Sequence, residues 1–126
     1  MSRIRSERGA VAVEFALAVP LLLTILLGIV EMGLAFNAQI SVTHAAREAA
    51  RTMAVQDDPA AARTTAIAAA PSLTPALTTG EIAVTPADCT AGNTATVTIL
   101  HNHDFVSGFF GTGVTIRGTA AMRCGG

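Results

Sequence analysis

From Phe15 to Val30 the chain runs sixteen residues without a charge, and Thr24 is the only polar side chain among them. Extended outward to Ala10 and Phe36, the run covers twenty-seven residues in which Glu14 and Glu31 are the only charges. As a helix it measures about 40 Å at roughly 1.5 Å per residue, more than the ~30 Å of hydrocarbon in a bilayer. Pro20 and Gly28 would weaken a soluble helix but are common in spanning ones. Residues 10–36 are therefore expected to form a transmembrane helix. A secretory signal is the competing reading, and Gly33-Leu34-Ala35 offers the small residues a signal peptidase uses. Two features count against it: the run is about twice the length of a signal h-region, and it carries a glutamate near each end.

Composition points the same way. Of 126 residues 51% are apolar, and the mean hydropathy of +0.52 is high for a soluble domain of this length. With 13% charged residues and a net charge of −1, disorder is excluded. The chain has no Lys, Trp or Tyr, so it lacks both the basic excess and the stacking platforms of a nucleic-acid binder. Arg3, Arg5 and Arg8, offset by Glu7, precede the apolar run. The positive-inside rule then places the N-terminus in the cytoplasm and the rest outside, although Arg47 and Arg51 beyond the run reduce the contrast. The two cysteines, Cys89 and Cys124, both lie in the C-terminal half. They are a candidate bridge if that half occupies an oxidising compartment, and two separate reduced thiols otherwise.

An ionisable residue inside an apolar run is a functional candidate, the alternative being a glutamate that snorkels to the interface. Glu14 stands in the local sequence Arg8-Gly9-Ala10-Val11-Ala12-Val13-Glu14-Phe15. A basic leader, a Gly, four small apolar residues, then Glu and an aromatic: this start resembles a type IV-like prepilin, specifically the Flp and TadE-like proteins of tight adherence pili. The resemblance continues through Pro20, through Gly28-Ile29-Val30-Glu31-Met32-Gly33, and into Ala45-Ala46-Arg47-Glu48-Ala49-Ala50-Arg51. It implies that a prepilin peptidase cuts between Gly9 and Ala10, which makes residues 1–9 a leader and Glu14 the fifth mature residue. It also implies a role for Glu14 in subunit register, in which its carboxylate neutralises the new amine at Ala10. A buried charge without such a partner is costly, so the pair would act as a specificity device. The best-known pilins begin the mature chain with Phe rather than Ala, so N-methylation is not carried over to Ala10.

Beyond the run, residues 37–56 contain no helix breaker. Val42, Ala46, Ala49 and Met53 form a stripe from which His44, Arg47, Glu48 and Arg51 stand apart, the pattern of an amphipathic helix. It is expected to continue the spanning helix as one rod from about Ala10 to Val55. Its small residues suit close helix approach between subunits, or packing on the chain's own domain. Residues 57–126 form the expected outer domain. Asp57 or Asp58 caps a short helix from Ala60 to about Ala70 with Pro59 in its first turn, and residues 71–80 form a loop. Strands follow over Glu81–Thr85, Thr94–Leu100 and Val114–Met122, the second alternating Thr94, Thr96, Thr98 with Ala95, Val97, Ile99. A Phe-rich loop, Asp104 to Gly113, links the last two. The expected fold class is α+β, a long transmembrane helix continuing as an amphipathic stalk and packed on a small antiparallel sheet.

His101, His103 and Asp104 are the one cluster resembling a metal site, since positions i and i+2 share a strand face. The other reading is a polar strand-to-loop transition, and no metal or cofactor is expected. Neither a Gly-x-Ser-x-Gly elbow nor a phosphate-binding Gly-rich loop is present, so neither an enzyme nor a small-molecule substrate is expected. The resemblance implies a TadE-like minor pilin or pseudopilin, since a major Flp pilin is little more than the helix. Its expected partners are membrane lipid, the prepilin peptidase, other pilins or pseudopilins and the pilus assembly platform. The alternative is an unprocessed single-pass anchor whose outer domain binds a partner in a secretion apparatus.

Overall fold

The computed structural model describes residues 2–125, with side chains from residue 6 onward. The side chains of Arg3 and Arg5 in the expected leader thus lie outside the described residues. One helix, α1, covers Ser2–Gln56. It starts upstream of the expected Ala10, because residues 2–8 are helix-compatible and nothing interrupts them. Pro20 lies inside it, and the Thr24 hydroxyl donates to the Pro20 carbonyl at 2.7 Å, so the one polar side chain of the uncharged stretch is satisfied within its own helix.

Helix α1 ends at Asp57, whose φ of 51° is left-handed, with its N–H returning to the Met53 carbonyl at 3.0 Å. The chain restarts at once. Asp58 caps α2 (Pro59–Ala69), its carboxylate accepting from the Ala60 and Ala61 amides, with Pro59 in the first turn. The two aspartates therefore divide the work: Asp58 caps, while Asp57 closes α1 and its carboxylate accepts the Cys89 N–H. A 3-10 turn, Thr79–Glu81, takes Glu81 out of the expected first strand and leads into β1 (Ile82–Thr85). Strands β2 (Thr94–Asp104) and β3 (Gly113–Arg123) complete an antiparallel sheet in the order β1-β2-β3. Asp104 pairs with Gly113 at one end of the β2–β3 hairpin and Thr94 with Arg123 at the other. The fold is α+β.

The core lies between α1, α2 and the sheet. Helix α1 contributes Ala38, Val42, Ala45, Ala46, Ala49, Ala50 and Met53, α2 Ala62 and Ala66, and the sheet Val84, Ala95, Val97, Ile99 and Ile116. Of the two readings of the small-residue stripe, contact between subunits or packing on the chain's own domain, the structure has the second: α2 and the sheet occupy it. Residues 38–54 are less a stalk than the central helix of the domain. Alanines set the close spacing, and at Gly118 there is no room even for a methyl. A Cβ there would lie 2.7 Å from Val42 Cγ1 and 2.8 Å from the Val42 carbonyl oxygen. At the far end Cys89 and Cys124 are bridged, with Cα atoms 5.5 Å apart, pinning the β1–β2 connection to the end of β3.

Candidate functional site

Packing divides α1 into two halves. Between residues 6 and 37 Glu31 is the one buried position, whereas most of the residues facing the domain from Ala38 onward are fully buried. The bare half exposes Val11, Val13, Phe15, Leu17 (72% exposed), Leu21, Leu22, Ile25 and Ile29. Leaving these side chains in water forgoes about 1.5–3 kcal/mol each, so this half requires an apolar environment the domain does not provide. It belongs to one helix long and apolar enough to cross a membrane, with a mean hydropathy of 2.5 over its most apolar window.

Gly9, Ala10 and Glu14 all lie on this bare half and are exposed, and a Cβ at Gly9 would meet nothing within 4 Å. Positions 10 and 14 are one turn apart and share a helix face. Glu14 has apolar neighbours above and below it, Val11, Val13, Phe15 and Leu17, all exposed.

Glu31 differs. It is 3% exposed, and its carboxylate accepts the Ser107 N–H at 2.7 Å and the Val106 N–H at 3.2 Å. Sequence reasoning placed it only as the charge ending the apolar run. Its partners are more than seventy residues away in the chain, beyond any local pattern. It holds the β2–β3 loop against the helix at the point where the uncharged stretch ends.

The histidines are placed differently from the expected strand-to-loop transition. Strand β2 runs through Asp104, and its alternation continues, so His101 and His103 follow Ala95, Val97 and Ile99 onto the buried face. They share a face, but among the described residues no group of three His, Cys, Asp or Glu side chains is arranged to hold a metal ion. His101 Nδ1 lies 3.0 Å from Glu81 Oε1. Burial pushes the Glu81 carboxyl up, but the Thr78 amide and hydroxyl and the His101 ring outweigh it, and Glu81 ends below its ordinary range. The pair ties the 3-10 turn to β2. Among the described residues His101 Nε2 and both ring nitrogens of His103 are buried without a hydrogen-bond partner.

No curated protein and no solved structure matches the chain. A family model described as TadE-like protein matches residues 9–51. The match begins at Gly9, on the bare half of α1, and ends at Arg51, within the buried half. It is consistent with a membrane-anchored protein of the tight adherence pilus system. Over residues 9–51 the chain is similar to TadE-like proteins.

Proposed function

We propose that the chain is a minor pilin or pseudopilin of a tight adherence pilus, cut after Gly9 by a prepilin peptidase and assembled through the bare half of α1. The observation that carries this reading is the division of α1. Its buried half gives its inward face to the domain, and its bare half presents an uncovered apolar surface with Glu14 one helical turn beyond Ala10. In the membrane that surface faces lipid. In an assembly it packs against other helices, where the amine created at Ala10 needs a counter-charge and the Glu14 carboxylate of a neighbouring copy supplies one. The leader faces the cytoplasm and the domain the opposite side, a placement supported by the arginines of the leader and by a disulfide that suits an oxidising compartment.

The mature N-terminus tests this. Intact mass should give a chain beginning at Ala10, and Gly9→Val should accumulate at full length. A native chain beginning at Met1 or Ser2 would instead describe an unprocessed anchor that binds its partner through the outer domain. For register, Glu14→Ala should insert and be cleaved normally but be lost from assembled material. A buried pair broken on one side typically costs about 3–5 kcal/mol, at least a hundredfold in association. Normal recovery of Glu14→Ala with pilus components would return Glu14 to an interfacial glutamate.

A further inference from the structure

The β2–β3 hairpin lies along α1, and four contacts fix its register. The Gly125 N–H reaches the Ala54 carbonyl at 3.3 Å, Gly118 abuts Val42, Gln39 Nε2 donates to the Arg117 carbonyl at 2.8 Å, and Glu31 accepts from Val106 and Ser107. One step further down, the Phe110 ring lies 3.3 Å from where a Cβ on Gly28 would stand. Gly28 belongs to the uncharged stretch. It lies about 4.5 Å deeper along the helix axis than Glu31, at roughly 1.5 Å per residue. The hairpin therefore does not stop where the apolar run stops. It overlaps it.

The overlapping segment has the composition of a lipid-facing one. From Phe105 to Ile116 there is no charge, and Asp104 and Arg117 close the stretch on either side. At its tip the apolar side chains point outward: Val106 is 81% exposed, Phe109 67% and Phe110 45%, while Phe105 is half-buried and Ile116 joins the core. Phe109 and Phe110 pack edge to face, with ring centroids 5.4 Å apart, making one apolar knob beside the helix. The usual obstacle to a loop at this depth is its backbone, whose amides find no water. Here two of them, at Val106 and Ser107, are met by the Glu31 carboxylate, and Phe105 N–H is met by the Thr112 carbonyl at 3.0 Å.

We infer that the β2–β3 tip is a second membrane-inserted element. Val106, Phe109 and Phe110 enter the upper acyl region of the leaflet next to the domain, and with α1 they fix the domain's depth and rotation relative to the bilayer. A single helix leaves the domain free to turn about its axis, and a second insertion point beside it removes that freedom. The inference rests on α1 spanning the bilayer. Lipid is the occupant because the tip is continuous with the spanning surface and lies at the same depth.

The chain has no Trp, so one introduced indole is an unambiguous fluorescent probe. Full-length Phe109→Trp would be reconstituted in phosphatidylcholine vesicles, with and without lipids brominated at the upper and at the lower acyl chain. Leu23→Trp inside the span and Val55→Trp at the far end of α1 serve as references. Bromolipid should quench the Phe109→Trp variant to an extent comparable with Leu23→Trp, and aqueous iodide should quench it poorly. The Val55→Trp variant should show the reverse. If Phe109→Trp is open to iodide and untouched by bromolipid while Leu23→Trp is quenched, the inference is overturned and the tip is a water-facing or protein-binding loop. An unquenched Leu23→Trp variant refutes the spanning helix itself. Phe109 is largely exposed, so the substitution leaves the core intact, and Val106→Trp reads the same tip should Phe109→Trp fail to fold.

Discussion

Gly118→Ala tests how the sheet is seated on α1. The added Cβ would lie 2.7 Å from Val42 Cγ1, 2.8 Å from the Val42 carbonyl oxygen and 3.0 Å from its carbonyl carbon. Ordinary carbon contacts begin near about 3.5 Å, so β3 and α1 must separate by roughly 0.7 Å. The Val42 side chain cannot relieve this by rotating, because two of the three contacts are to helix backbone. Overpacking of this kind costs about 1–3 kcal/mol. The neighbouring Gln39–Arg117 hydrogen bond, 2.8 Å long, would be stretched and would add about 1 kcal/mol more. Against this, replacing a glycine stabilises by up to about 1 kcal/mol through the unfolded chain, since φ here is not left-handed. The unfavourable terms win by about 1–3 kcal/mol, or roughly 5–20 °C in Tm for a domain this small. The chain has no Trp or Tyr, so melting is best followed by scanning calorimetry in micelles with the disulfide intact. Gly80→Ala, where a Cβ would meet nothing within 4 Å, should melt like the native chain. Val42 is fully buried, so Val42→Ala destabilises by itself, but it removes the contact to Cγ1 and should therefore cost less in the Gly118→Ala background than in the native chain. A Gly118→Ala protein melting within about 2 °C of Gly80→Ala would mean the sheet does not rest on Val42.

Two further outcomes follow from the domain's other ties. Removing the bridge with Cys89→Ser and Cys124→Ser opens a loop of 35 residues, a loss of about 4 kcal/mol in the chain-entropy model. The calorimetric transition should fall by more than about 15 °C, and a shift of only a few degrees would show that the Asp57–Cys89 contact holds the loop without the bond. Glu81 is held below its ordinary range in the folded state, so the unfolded chain binds the proton more readily. Its contribution is present above the ordinary glutamate value, about 4.3, and is lost as pH falls through the lower folded value. The Tm advantage of the native chain over Glu81→Gln should accordingly shrink between pH 6 and pH 3. An advantage constant over that range would rule out an ionised Glu81 as the source.

What was legible in the sequence was whatever depends on local periodicity and local stops. The uncharged stretch, the stripe Val42, Ala46, Ala49 and Met53, the Asp58-Pro59 restart and the alternation of Thr94 to Ile99 each state their element within a dozen residues. The misplacement of the histidines has a definite cause. His101 and His103 continue the inward positions of β2, yet their polarity suggested that the strand had ended. In a strand the backbone register decides the face, and the side-chain type then has to be accommodated. Glu31 and Gly118 carry no local signal, because each is defined by a partner more than seventy residues distant.

The alanine stripe shows why periodicity alone does not name a partner. Its spacing suits a helix from another subunit as well as it suits α2 and the sheet, and the choice depends on what else the chain can bring to it. This chain brings a bridged domain whose hairpin runs along α1 from Ala54 down to Gly28. With that face covered, contacts to other subunits on the proposed reading fall to the bare half of α1, between Ala10 and Phe36, and to the outside of the domain. Glu14 lies near the start of that bare half and Glu31 near its end, so the two acids of the apolar run serve different neighbours. Glu31 is already satisfied by the chain's own loop, which leaves Glu14 as the acid of that run available to another subunit.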